Sequence, residues 1–279
     1  MARKCVFCGK TPVTSEHVFK RGFRKKLNLP TGDRRFDQQK GLDQPKTSRS
    51  DPNPLFELKV RHVCAKCNNG WMNRLDLAVE HWVLNPDNEP CDPTNLRRWA
   101  IKTAIVYSLT AQSSAVLPRA DYERLLDGED INEWFVLVGR NSFPEWRHAQ
   151  VGQGVRSEST GEMLRGITHA SWVVGTSVVT ALRPAGDPEM HLLKAFRHHN
   201  TYVGEPLVEI RCGADTFPNL STHRELLVGE ATSFFLFFAA DPASPVYPVI
   251  KAGASRVRDA VATRRRELGL GPAHPSPSA

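Results

Sequence analysis

From residue 71 onward the apolar positions fall into a helical rhythm. Trp71, Leu75, Ala78, Val79 and Trp82 stand at i, i+4, i+7, i+8 and i+11, the spacing of a helix with one buried face. Asp92-Pro93 then offers a capping side chain followed by proline at the first helical position, and residues 96–109 are apolar on almost every side. That pattern predicts a second helix central to the core. A shorter helix is expected from Pro118, closed by Gly128. Upstream, residues 55–63 alternate loosely as a strand would, with Leu58, Val60 and His62 opposite Lys59 and Arg61. Residues 28–54 carry only Leu29, Phe36 and Leu42 as large apolar side chains among four aspartates and four prolines, which predicts a long exposed loop.

Beyond residue 130 the texture turns to β-like runs at residues 134–138, 171–182, 207–212, 233–239 and 246–250, separated by Gly, Pro, Asp and Asn. They predict a mostly antiparallel sheet packed on the preceding helices, an α+β fold. Residues 255–268 return to a helical pattern with five arginines, and residues 270–279 form a Pro/Ser-rich tail expected to be disordered. The organisation read from this is an N-terminal module over residues 1–82, an α+β body over residues 83–269, and the tail.

Composition narrows the class. With 40% hydrophobic and 24% charged residues in 279, wholly disordered and fibrous chains are excluded. The longest apolar run, residues 234–240, is far below the roughly 20 needed to cross a bilayer. The basic start Met1-Ala2-Arg3-Lys4-Cys5 lacks the apolar core of a secretory signal, so the expected compartment is the cytoplasm, where cysteines serve as thiols or metal ligands. Charge is unevenly spread: residues 1–82 hold 17 Lys and Arg against 8 Asp and Glu, an excess of +9, while the rest of the chain nets −2. A basic module on a near-neutral body suits a polyanionic partner, most often nucleic acid, although a solvated basic face has the same composition.

The chemistry concentrates at the cysteines. Cys5-Val6-Phe7-Cys8-Gly9 and Cys64-Ala65-Lys66-Cys67 are two CxxC pairs. Each such turn brings two thiolates to one cation, and two turns complete a tetrahedral four-thiolate zinc site through Cys5, Cys8, Cys64 and Cys67. A redox role would use one pair and leave the other unexplained. Cys91 and Cys212 lack the spacing and read as small buried fillers. A knuckle, a β-hairpin and a helix whose first turn carries the second pair make a treble-clef arrangement. No P-loop, nucleophile elbow or dinucleotide fingerprint occurs in the rest of the chain.

Between the pairs stands Thr14-Ser15-Glu16-His17-Val18, and directly after them Asn68-Asn69-Gly70-Trp71-Met72. The series CxxCG, EHV and CxxCNNGWM resembles the HNH endonucleases of the treble-clef, ββα-metal type, in particular a bacterial and phage subgroup with CNxGWM at this point. The resemblance covers residues 5–76, with a weaker likeness at Trp99-Ala100-Ile101-Lys102-Thr103-Ala104. It implies a metal-dependent nuclease cutting phosphodiester bonds of DNA. Glu16 and Asn68 would then hold a divalent ion such as Mg2+, separate from the closed zinc site, and His17 would be the general base. Asn68 also stands where a helix N-cap is wanted, so capping and ligation are both open to it. Lys20, Arg21, Arg24, Lys25 and Lys26 follow His17 closely and suit phosphate contact or a solvated helical face. The family's middle Asn has no counterpart in Lys59-Val60-Arg61-His62-Val63, and Phe19-Lys20-Arg21-Gly22 replaces its Pro and Gly-Gly. The alternative is therefore a non-catalytic treble-clef zinc module that binds nucleic acid or a protein partner.

Overall fold

The N-terminal part is organised by one antiparallel strand pair, β1 (Val13–His17) with β4 (Lys59–Cys64), joined to a helix that starts where β4 stops. The computed structural model describes residues 3–27, 34–38, 47–51, 58–86, 91–110, 117–141, 149–152, 155–156, 163–165, 167–184, 206–223 and 225–226. Between the two strands lie a short helix α1 (Arg21–Lys26) and a hairpin of β2 (Arg34–Gln38) with β3 (Thr47–Asp51). That hairpin corrects the expectation of an unbroken loop over residues 28–54. Its strands are almost wholly polar, so the apolar alternation that betrays a strand is missing, while backbone pairing needs no apolar face.

The helix after β4 begins earlier than its apolar spacing suggested. α2 (Ala65–Cys67) runs into a wider π-type turn over Asn68–Met72, kinked at Gly70, and continues as α3 (Asn73–Leu84). α4 (Pro93–Ser108) starts as expected: the Asp92 carboxylate accepts the Asn95 backbone N–H at 2.7 Å, and Pro93 takes a first-turn position. α5 (Arg119–Asp127) ends on Gly128 in the left-handed region.

Next come β5 (Phe135–Arg140), β6 (Ala149–Gly152), β7 (Val155–Arg156), β8 (Met163–Arg165), β9 (Ile167–Val174), β10 (Ser177–Pro184) and β11 (Leu207–Ile210). β11, β5, β10, β9 and β6 form, in that order, one antiparallel sheet, and β7 pairs with β8. The apolar run at residues 171–182 is thus a hairpin, β9 turning into β10 through Gly175-Thr176, rather than one strand. With no Asn, Asp or Pro in the turn, the hydropathy pattern runs straight through it. The β-like runs at 233–239 and 246–250, the helical pattern at 255–268 and the tail at 270–279 lie outside the described residues.

α4 packs across β5, β6, β9 and β10, and nearly every residue of it is buried. A single apolar cluster runs from Cys5 to Leu220, so the boundary expected at residue 82 coincides with no gap in the packing. Aromatic contacts carry the continuity: Phe19 meets Tyr107 and Trp172 edge-on at 5.7 and 5.9 Å, Phe23 meets Trp99 at 6.4 Å, and Trp99 meets Trp172 at 5.6 Å. Arg97, one of the charges this helix buries, is hydrogen-bonded through all three of its nitrogens. Arg97 donates to Asp130 Oδ1 and to the carbonyls of Ile210, Ile131 and Trp134, which ties β11 and the segment before β5 to α4.

Gly139 marks a close approach inside the sheet, since a Cβ built there would lie 2.5 Å from the Pro206 carbonyl and 2.9 Å from Leu207. Gly139→Ala is expected to force β11 off β5 and to cost about 1–3 kcal/mol, the usual range for overpacking. Urea unfolding checks this, and an unchanged midpoint would mean that β11 yields without loss.

Candidate metal centre and buried carboxylate site

The first cysteine pair is shaped by backbone hydrogen bonds. The Cys5 N–H donates to Lys10 and the Gly9 N–H to Cys5, both at 2.9 Å, and Gly9 takes φ +71°, a conformation costly to residues with a Cβ. The Val6 N–H donates to the His62 carbonyl on β4, which lays this turn against the strand leading to the second pair. Cys64 is both the last residue of β4 and the N-cap of α2, and Cys67 lies in the helix's first turn.

This construction gathers four thiols from segments far apart in the chain. The Sγ atoms of Cys5, Cys8, Cys64 and Cys67 all lie within 4.8 Å of one another, and Cys8 Sγ is 3.5 Å from Cys64 Sγ. That spacing is far above the roughly 2.05 Å of a disulfide, and all four are free thiols. It is near the ~3.8 Å edge of a tetrahedron with ~2.3 Å Zn–S bonds. The set can hold a metal ion such as zinc. Burial opposes ionisation of Cys64, yet hydrogen bonds from the Cys67 backbone and from the Cys8, Cys5 and Cys67 thiols bring it down to about 7. Burial holds the neighbouring Cys8 and Cys67 thiols above their ordinary range, so without a metal the protons of the cluster are unevenly shared. Among the described residues no other group of three or more Cys, His, Asp or Glu side chains is arranged this way.

The centre is fastened to the body. Phe7, inside the first pair, meets Trp71 edge-on at 5.1 Å and Tyr122 of α5 at 5.8 Å. Arg119 at the start of α5 donates to the backbone carbonyls of Val6 and Phe7. Cys91 is buried as expected, its thiol pushed up to about 12 by burial and Asp92. Cys212, expected to be buried, is exposed instead and donates to the Asp130 carbonyl at 3.3 Å.

A second polar site lies beside the first. The β1–β4 register slips between Thr14 and Glu16, and Glu16 is the buried residue of β1. Bulges of this kind re-aim the side chains that follow. The side chain of Asn68, the residue after the last cysteine, lies close to the Glu16 carboxyl and favours its ionised form. Asn68 is not the helix cap: its φ of −58° and ψ of −59° are helical, and Cys64, with extended backbone, precedes the first turn. His17 is half-buried at the end of β1, in register with Lys59.

Three residues to which the sequence reading gave no role lie near Glu16: Asp76, and Trp99 and Lys102 from the stretch of weaker likeness. Asp76 on α3 is 7% exposed, and its Oδ1 accepts both the Trp99 indole N–H at 2.9 Å and the Lys102 ammonium at 2.6 Å. Lys102 is itself buried and acts electrostatically on Glu16 as well as on Asp76. The available signal was a lysine in a helix otherwise apolar on almost every side. Burial outweighs the attraction of Lys102, and with repulsion from Asp76 it lifts the Glu16 carboxyl to about 7.

Part of the basic cluster is otherwise engaged. Lys20 and Lys26 both pair with Glu80 of α3, at 3.2 and 2.7 Å, and hold its carboxyl below the usual range despite partial burial. Lys25 is exposed. The side chains of Arg21 and Arg24 lie outside the described residues. Among the described residues no helix is long and apolar enough to cross a membrane. No protein-family model, curated protein or solved structure matches the chain.

Two outcomes are expected. Purified protein carries one zinc ion per chain by elemental analysis, and Cys64→Ser loses it together with much of the thermal stability; full zinc occupancy in that variant would exclude the four-thiolate site. Because the Glu16 pKa is raised in the folded state, the native protein binds the extra proton. Its contribution to stability is therefore highest below about pH 4.5 and declines as pH rises to about 7. Glu16→Gln removes this dependence and stabilises the protein at pH 8 by roughly 3 kcal/mol, the cost of holding ionised a carboxyl raised from 4.5 to about 7. Urea unfolding at pH 5 and pH 8 measures it, and equal wild-type and variant slopes with pH would show that Glu16 is not the titrating group.

Proposed function

We propose that the chain is an HNH-like, metal-dependent endonuclease of the treble-clef ββα-metal type that hydrolyses phosphodiester bonds of DNA. One observation carries the proposal: the side chain of Asn68, the residue directly after the fourth cysteine, comes close enough to the buried Glu16 carboxyl next to His17 to favour its ionised form. Two positions 52 apart in sequence, assigned to one ion by the resemblance, are thus neighbours. The donor set they offer, a carboxylate and an amide, is of the kind a hard divalent ion such as Mg2+ takes. When bound there, such an ion supplies stabilisation of the charge that develops at the scissile phosphate.

The chain's own residues do the rest. His17 accepts a proton from the attacking water. Glu16 and Asn68 hold the ion, and the four cysteines hold zinc as a structural staple with no open position. Lys25, Arg21 and Arg24 are the cations offered to the backbone, while Lys20 and Lys26 must first part from Glu80 to join them.

A specific observation favours a second reading. Glu16 is more than nine-tenths buried, and its neighbour Asp76 is already satisfied by Lys102 and Trp99. A site closed in this way suits a non-catalytic treble-clef module that binds nucleic acid. The two separate in one assay. The nuclease cuts plasmid DNA with Mg2+ or Mn2+, and His17→Ala loses at least 100-fold in rate, the low end of what general-base loss removes, with zinc content unchanged. No cleavage by either protein, together with DNA affinity that falls steeply with salt as counterions are released, supports the binding module instead.

A further inference from the structure

Glu80 of α3 draws two ammonium groups onto one carboxylate. Lys20, directly before α1, stands 3.2 Å from its Oε1, and Lys26, the last residue of α1, stands 2.7 Å from its Oε2. The short helix is thereby bracketed against α3, and its backbone comes near at Gly22, where a Cβ would lie 3.8 Å from Glu80 Oε1. The Glu80 side chain is 14% exposed, whereas that of Lys26 is 54% exposed and reaches water. An ion pair with one partner in water contributes little to stability, because solvent competes for the ammonium. Five cations in the seven residues 20–26 repel one another, and this one carboxylate answers two of them. The trio of Lys20, Lys26 and Glu80 still carries a net positive charge, and Lys25 beside it is exposed.

Resting on the reading of this module as one that meets nucleic acid, we propose that the Glu80 carboxylate holds the seat of a backbone phosphate, so that a nucleic acid docks on the α1–α3 face by taking Lys20 and Lys26 from it. A phosphodiester presents two charged oxygens on one centre, as a carboxylate does, and two ammonium groups already converging on such a pair meet it with little reordering. Charge complementarity identifies the occupant. A polyanion releases condensed counterions when lysines neutralise its phosphates, a gain that an isolated small anion lacks and that offsets two weak ion pairs. Glu80 is a positioning residue in this scheme: it keeps the stems of Lys20 and Lys26 ordered in the free protein. In the complex its own charge is left beside a phosphate and repels it, so Glu80 holds the affinity below what the two lysines alone would give.

The test uses the full-length, zinc-loaded protein and a fluorescently labelled DNA duplex, with no added Mg2+ or Mn2+, followed by anisotropy at low salt. Glu80→Gln, which keeps the shape of the side chain and removes its charge, is expected to bind the duplex about tenfold more tightly than wild type, since two weak ion pairs no longer have to be broken. Lys20→Met with Lys26→Met binds more weakly than wild type, and adding Glu80→Gln to that pair brings no gain. Equal affinity of wild type and Glu80→Gln overturns the proposal, and so does a gain of the same size with the lysines replaced, which would be an effect of overall charge. Should the lysine variants fail to fold, wild type alone decides: the carbon-13 resonance of the Glu80 carboxyl moves on titration with DNA as its ammonium partners leave, and a resonance that stays in place while DNA binds overturns the exchange. Absence of DNA binding by every protein would sink the underlying reading together with the proposal, whereas DNA bound equally by wild type and Glu80→Gln would sink the exchange alone. Cleavage enters none of these measurements, so an inactive protein counts against the nuclease only.

Discussion

Four thiols from two segments 56 positions apart converge within 4.8 Å, and the arrangement of the N-terminal part follows from that convergence. To bring Cys64 to Cys8, β4 must end where the turn over Cys5–Gly9 ends, which is why the Val6 N–H meets the His62 carbonyl and Val13 lies opposite Cys64. To present Cys67 as well, a helix must begin at once, and Cys64 serves as its N-cap. The same turn carries Phe7 into the crevice between Trp71 and Tyr122 and offers two carbonyls to Arg119. A local metal-binding geometry thereby becomes the attachment of the module to the body.

Beside that centre the governing quantity is electrostatic. Glu16 and Asp76 are removed from water on different elements, and the protein compensates with the indole of Trp99, the amide of Asn68 and the ammonium of Lys102. Arg97, two residues before Trp99 on α4, is buried in the same manner, with donors spent on a carboxylate and three carbonyls. Both cations are rooted in the most deeply buried helix, and each reaches a different part of the chain. α4 is at once the layer on which the sheet packs and the source of the charges that hold the rest to it.

The elements read well where a physical rule is local. The cap Asp92-Pro93, the left-handed stop at Gly128 and the one-sided spacing from Trp71 to Trp82 each act over a few residues, and each appears in the structure. Errors came where pairing overrode pattern. β2 and β3 have no apolar face to announce them, and the β9–β10 hairpin conceals its turn in an unbroken apolar run. The helix whose apolar spacing shows from Trp71 starts six residues earlier, at Ala65, where its first turn carries the second cysteine pair.

By itself the sequence determined the α+β class, the antiparallel preference of the second half and the four cysteines able to hold a metal ion, since spacing, capping and a double CxxC are properties of neighbours along the chain. It also put Glu16 and Asn68 forward as a pair. Tertiary structure alone decided that the two come close together, that Lys20 and Lys26 are held by Glu80, and that Asp76 is buried on Trp99 and Lys102. The reason is burial: a charged side chain takes its meaning from which other charge is taken out of water with it, and that partner stands on another element, at a separation no local pattern records.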